Sequence, residues 1–160
     1  MSSISSLDLK TLITRSVCDV FDTMLSMKVE SIEDKTSELS NGHQIVGTVG
    51  FAGTVLGNLN LHVGKELAYQ MTAAMMDMET DEIEGDEEVH DVIGELCNMI
   101  SGDLKSRLCD SGHACDLSIP SITSGKQFKI ESKGWDRNEQ YGFCCGDHTA
   151  LVAVYMKSAN

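Results

Sequence analysis

The sequence has little positive charge and few aromatic residues. It holds 12 lysine and arginine residues against 25 aspartate and glutamate residues, for a net charge of −13, and only 5% of its residues are aromatic. Negative charge in this excess repels the phosphate backbone of nucleic acids and the anionic headgroups of membranes. We therefore expect neither nucleic acid nor a membrane among its partners. A partner with a basic or metal-bearing surface is favoured instead.

Long apolar runs are also missing. No stretch approaches the roughly 20 apolar residues that a transmembrane helix needs. The first ten residues, MSSISSLDLK, lack the basic segment followed by an apolar segment that marks a secretory signal. These absences predict a cytoplasmic protein. The length of 160 residues and the 41% hydrophobic content predict one domain that spans residues 1–160.

Six cysteines are present, and without a secretory signal their default state is the reduced thiol. Cys18 and Cys97 lie in apolar helical patterns and are expected in the core. Two groups contain thiols and imidazoles that could suggest a metal site: Cys109, His113 and Cys115, and Cys144, Cys145 and His148. Neither shows the Cys-x₂-Cys pairing that zinc sites use, so we expect no metal site. A thiol-based metal or redox protein remains a third hypothesis.

Three helices are predicted, the first and third from apolar residues at helical spacing and the second from an alanine- and methionine-rich segment without a helix breaker. A polar connection follows the first helix. The predicted helices cover 7–27, 65–76 and 86–108, and the connection covers 29–42. Ser5 or Ser6 is expected to cap the first helix. The acidic stretch that precedes the third helix is expected to be solvated.

Strand-period alternation predicts a hairpin over 44–63 with its turn at 52–54. Within the hairpin, His62 falls on the polar side and is expected at the surface. Pro120 is the only proline and is expected to fix the turn into the next strand. Further strands are predicted at 127–132, 140–145 and 150–157. The predicted fold class is α+β, an antiparallel β-sheet covered by about three α-helices.

The third predicted helix has two faces of opposite character. Its apolar face is predicted core, whereas the opposite face carries polar residues at spacings of four, three and four: Asp91, Glu95, Asn98 and Gly102. Bare Glu-x-x-Asn spacing is weak support for a site, since Glu38 and Asn41 repeat it in the polar connection. From physical chemistry alone, a solvated helix face competes with a functional one.

Residues 91–105, DVIGELCNMISGDLK, resemble the signature helix of the CheC/CheX/FliY family, specifically its CheX-like domains. The family pattern is an acidic residue or serine, then glutamate four positions on, then asparagine three further. A Pro-Ser pair follows about twenty residues later, and Pro120-Ser121 matches it. The first helix and the glycine-containing hairpin also resemble CheX-like domains. Members of this family dephosphorylate the response regulator CheY, so the resemblance implies a phosphatase.

The resemblance also implies roles for individual residues. Asn98 would orient a water towards the aspartyl phosphate of the receiver, and Glu95 would grip a receiver lysine. Five further positions would contact the partner: Asp91, Gly94, Ser101, Gly102 and Lys105. The receiver would supply Mg²⁺, so no cofactor is expected in this chain.

Assembly and an alternative function follow from the same resemblance. Homodimers through the β-sheet are implied, with the long final strand as a suitable edge. The alternative function is a receiver-binding or flagellar-switch-like interaction module of the same fold, without hydrolysis.

Overall fold

The computed structural model describes residues 4–33, 39 and 42–159. Within these ranges lie three α-helices: α1 (Leu9–Leu25), α2 (Lys65–Met76) and α3 (Asp86–Asp110). Seven strands accompany them: β1 (Glu30–Ile32), β2 (His43–Gly53), β3 (Val55–Gly64), β4 (Cys115–Leu117), β5 (Ser121–Lys126), β6 (Arg137–Cys145) and β7 (His148–Ser158). The predicted α+β class is confirmed. None of the helices in the described ranges is long and apolar enough to cross a membrane.

The strands form one antiparallel sheet with the order β1-β6-β7-β3-β2. Both β4 and β5 pair with the outer edge of β2, β5 along its first half and β4 at its end. The predicted hairpin is β2 and β3, which are joined at Thr54. Strand β1 lies inside the segment predicted as a connection, and its three residues pair with β6.

One face of the sheet packs against the helices. The side chains that point to this face alternate with those that point away, as strand geometry requires. A single apolar cluster joins strands and helices, and its fully buried members include Ile13, Phe21, Val49, Leu59, Leu67, Met71, Ile93, Leu96, Ile100 and Val152. Helix α3 contacts β2, β3, α1 and α2, and it also contacts the short strands β4 and β5.

The other face is partly covered by residues 127–136, which cross it between β5 and β6. Gln44 Nε2 donates a hydrogen bond to the Phe128 carbonyl oxygen at 2.7 Å, and the Trp135 ring lies 6.3 Å from that of Tyr155. The prediction of a strand at 127–132 is therefore wrong. Gln127 adopts a left-handed backbone conformation, with φ of 53°, that ends β5 at Lys126.

The final strand is also placed differently from the prediction. Strand β7 is paired on both sides, with β3 along one edge and β6 along the other. It is therefore an interior strand, and the expectation that it offers a free edge for a homodimer is wrong. Its apolar pattern, which predicts a buried strand, agrees with this place in the middle of the sheet. A homodimer stays a prediction.

The start of α1 departs from the prediction as well. Asp8, not Ser5 or Ser6, is the N-cap, because its carboxylate accepts hydrogen bonds from the Thr11 backbone N–H at 3.3 Å and from the Thr11 hydroxyl at 2.7 Å. These bonds lower the pKa of Asp8. The two serines lie one turn earlier, in the 3₁₀ turn Ile4–Ser6.

His62 is buried, contrary to the expectation of a surface position. It lies on the sheet face that residues 127–136 cross. Its Nδ1 is 3.3 Å from Gln44 Oε1, and the same glutamine donates to Phe128. The crossing segment thus covers a polar side of the hairpin that local alternation alone assigns to solvent.

This burial predicts a dependence of stability on pH. Desolvation lowers the pKa of His62 from 6.5 to about 4, so the unfolded chain binds a proton more readily than the folded chain. Above pH 6.5 His62 is neutral in both states and does not lower the free energy of unfolding. As pH falls from 6.5 towards 4, the unfolded chain gains a proton at His62 before the folded chain does, and the free energy of unfolding falls by up to about 3 kcal/mol. In urea denaturation, His62→Gln should flatten the fall in unfolding free energy between these pH values. An unchanged slope would contradict this origin.

Candidate functional site

Helix α3 lies directly on β2 because β2 carries a glycine where the two cross. A Cβ atom at Gly47 would lie 3.0 Å from Cys97 Cβ and 3.3 Å from the Ile93 carbonyl oxygen. Cys97 is fully buried, as predicted, and its Sγ lies 3.8 Å from the Leu59 carbonyl oxygen. Burial raises the pKa of the Cys97 thiol to about 12, so the thiol stays neutral in this contact.

The opposite face of α3 is open. Asp91 and Glu95 are exposed, and Asn98 and Gly102 are half-buried. Glu95 and Asn98 are three residues apart, which places them on adjacent turns of one face. Among the residues that the structure describes, neither side chain has a hydrogen bond or an ion pair. Among the described residues, no atom lies within 4 Å of a Cβ built at Gly102, so the space at this position of the face is free.

Two predicted partner contacts are placed under the surface instead. Gly94 and Ser101 are both buried. A Cβ at Gly94 would lie 3.6 Å from Ile122 Cδ1 and 3.7 Å from Pro120 Cβ, so another segment of the same chain packs against this glycine. Both residues are thus covered by their own chain, and a contact of either with a partner stays a prediction. Their small size lets the chain itself pack closely.

Residues 116–120, the flanking segment, run beside the open face. Lys105 Nζ lies 3.6 Å from Asp116 Oδ1, so this predicted partner contact is already paired within the chain. At the other end Pro120 packs next to Gly94. Between them stands Ile119, with 88% of its surface exposed. Sequence reasoning missed this residue because a single isoleucine in a loop carries no periodic pattern.

The thiol and imidazole groups do not converge. All six cysteines are free thiols. Within 4–33, 39 and 42–159, no three His, Cys, Asp or Glu side chains are grouped so as to hold a metal ion. Cys109 is exposed and Cys115 is buried, and burial raises the pKa of Cys115. Glu38 and Asn41, which repeat the Glu-x-x-Asn spacing, lie outside the described residues.

Three comparisons place the chain among known proteins. A family model described as "Chemotaxis phosphatase CheX" matches residues 45–144, which include the whole of α3. The CheY-P phosphatase CheX of Thermotoga maritima is 34% identical over 113 residues, which cover 66% of this chain and 72% of that protein.

Solved structures share the fold. The chemotaxis protein CheX from Vibrio vulnificus superposes with a TM-score of 0.83 at 24% identity, covering 97% of this chain and all of that one. A CheX–CheY–BeF₃–Mg²⁺ complex from Borrelia burgdorferi gives a TM-score of 0.72 at 21% identity, covering 94% and 99%. At these identities the structures establish the fold alone.

The crossing of α3 over β2 generates a stability prediction. Gly47→Ala should lower the free energy of unfolding by about 1–3 kcal/mol, since the added methyl group meets Cys97 and the Ile93 carbonyl. Gly102→Ala is the matched control. Its methyl group meets nothing, and the loss of backbone freedom in the unfolded chain should raise stability by about 0.5–1 kcal/mol. Urea denaturation measures both. Equal effects of the two substitutions would contradict the close contact.

Proposed function

The chain belongs to the chemotaxis phosphatase CheX family, and we propose that it stimulates hydrolysis of the aspartyl phosphate on a CheY-like receiver domain. One observation carries the proposal. Glu95 and Asn98 stand together on the open face of α3, with no partner of their own in the described part of the chain. The Thermotoga relative with this family's name is a CheY-P phosphatase. The chain therefore acts as an enzyme whose substrate is another protein.

The reaction needs a water in line with the phosphoryl group. Water oxygen forms a bond to phosphorus while the bond to the aspartyl oxygen breaks, which releases inorganic phosphate and restores the carboxylate. Asn98 has both a donor and an acceptor, so it can hold that water in position. Because its side chain is neutral, it adds no repulsion to the charged phosphoryl oxygens. A carboxylate at the same position would add such repulsion.

Glu95 has a separate role in this proposal. Its carboxylate is exposed one turn from Asn98 and can form an ion pair with a lysine beside the receiver's phosphate. That pair sets the depth at which Asn98 enters the receiver. Asp91 extends the negative charge by one more turn, and the open space at Gly102 lets the receiver approach α3 closely.

On this proposal the receiver brings the metal ion. Mg²⁺ bound by the receiver would offset charge on the phosphoryl oxygens, so no nucleophile or metal ligand is needed from this chain. The place of action is that of response regulators, the cytoplasm.

The alternative is an interaction module that binds a receiver without hydrolysis. Such a module would bind the receiver through the charge of Glu95, and Asn98 would have no catalytic role. A fully covered Asn98 would favour it, but Asn98 is half-buried and Glu95, one turn away, is exposed. Phosphate release is therefore the property that separates the two functions.

Asn98→Ala should abolish stimulated dephosphorylation while leaving the fold intact, because the half-buried side chain has no hydrogen bond or ion pair with any residue that the structure describes. The measurement is phosphate release from a panel of phosphorylated receivers, with circular dichroism to follow the fold. Asn138→Ala replaces an exposed asparagine on β6 and should leave the rate unchanged. Full activity of Asn98→Ala would remove Asn98 from the mechanism.

Glu95→Ala should chiefly weaken receiver binding, because it removes the ion pair and keeps the amide. We expect the dissociation constant for a beryllofluoride-loaded receiver to rise about tenfold, which corresponds to about 1.4 kcal/mol. Titration calorimetry measures it. Glu131→Ala, an exposed glutamate in the segment that crosses the other sheet face, should bind like the parent chain. If both variants bind equally well, Glu95 has no part in docking.

A further inference from the structure

Ile119 is exposed to a degree that no other large apolar residue of the described chain approaches. Its exposure is 88%, against 42% for Met76 and 37% for Met24. Isolated apolar residues at a surface are common and by themselves mean little. The surroundings of Ile119 set it apart, because the backbone on both sides of it is held in a fixed position.

Hydrogen bonds and a proline hold the two neighbours of Ile119 in place. Ser118 N–H donates to the Gly50 carbonyl oxygen at 2.8 Å, and Gly50 N–H donates to Ser118 Oγ at 2.8 Å. Pro120 has a fixed φ and leads into Ser121, which is paired with Thr48. Ile119 is thus presented to solvent on an ordered backbone, and little entropy remains to be lost when a partner covers it.

Two contacts locate Ile119 relative to the site. Asp116 lies beside Lys105, and Pro120 lies beside Gly94. The helix rises by about 16 Å between Gly94 and Lys105. An extended chain covers about 13 Å between residues 116 and 120, so the flanking segment runs antiparallel to α3 over the same span. Ile119 therefore stands next to the turn of α3 that carries Asn98.

We propose that Ile119 is an apolar anchor that contacts the receiver at the rim of its phosphorylation site. This inference rests on the proposed function, since the occupant is the receiver that docks over Glu95 and Asn98. A surface that covers those two side chains is continuous with the flanking segment and reaches Ile119. The receiver is then expected to carry an apolar patch beside its phosphorylated aspartate.

The anchor complements the charge of the site. The chain has a net charge of −13, so attraction to a basic receiver surface weakens as salt is added. Burial of an isoleucine depends on apolar area and is not screened in this way. Ile119 thus supplies binding that persists at cellular ionic strength, Glu95 supplies orientation, and Asn98 performs the chemistry.

The test combines binding with hydrolysis for the full chain. Ile119→Ser should raise the dissociation constant for a beryllofluoride–Mg²⁺-loaded receiver roughly tenfold, whereas the rate of phosphate release at saturating receiver stays that of the parent chain. Ile119→Val keeps a branched apolar side chain and should bind within about twofold of the parent. Met76→Ser, the control, removes the next most exposed apolar side chain, at the end of α2, and should change neither quantity.

The outcomes separate this inference from the proposed function. If Ile119→Ser binds the receiver as tightly as the parent chain does, the anchor is overturned. It is also overturned if Met76→Ser loses as much affinity as Ile119→Ser. A lower rate at saturation with unchanged binding would overturn it too, since the residue would then act on the chemistry. If the parent chain binds receivers but releases no phosphate, the phosphatase function fails, and the binding comparison still decides the role of Ile119. Absence of binding to every receiver would overturn both.

Discussion

The contact between α3 and β2 is the constraint on which the site depends. Gly47 has no side chain, so Cys97 and the backbone at Ile93 come against the strand. That contact fixes the rotation of the helix about its axis, and the rotation turns Glu95 and Asn98 away from the core. A helix held further from the sheet would be free to roll, and the two side chains would lose their common direction. The geometry of a surface site is therefore determined by packing underneath it.

Small residues along α3 serve two different purposes. Gly94 and Ser101 are covered by the protein itself, with Pro120 and Ile122 seated against the glycine. Gly102 faces open space and leaves room for another protein. The difference arises from the flanking segment, which follows one edge of the helix and leaves the other free. The Pro120-Ser121 pair thus acts structurally, by bringing the chain back along α3 and into β5.

Local patterns in the sequence were sufficient for the helices. Residues 65–76 follow from their alanine and methionine content, and most of α3 follows from apolar spacing, because that helix buries one stripe. The predictions were wrong where contacts between segments far apart in the sequence determine the structure. The burial of His62 depends on residues 127–136, and the interior place of β7 depends on pairing with both β3 and β6. Likewise, a helical projection orients Gly94 towards solvent but contains no information about Pro120.

The central claim is that the open face of α3 enters the phosphorylation site of a receiver. A crystal structure of this chain bound to a receiver loaded with beryllofluoride and Mg²⁺ tests it most directly. The claim predicts that Asn98 lies within about 3 Å of a water in line with the beryllium, with Glu95 paired to a receiver lysine. A complex in which the receiver occupies another surface and leaves Asn98 in solvent would contradict it.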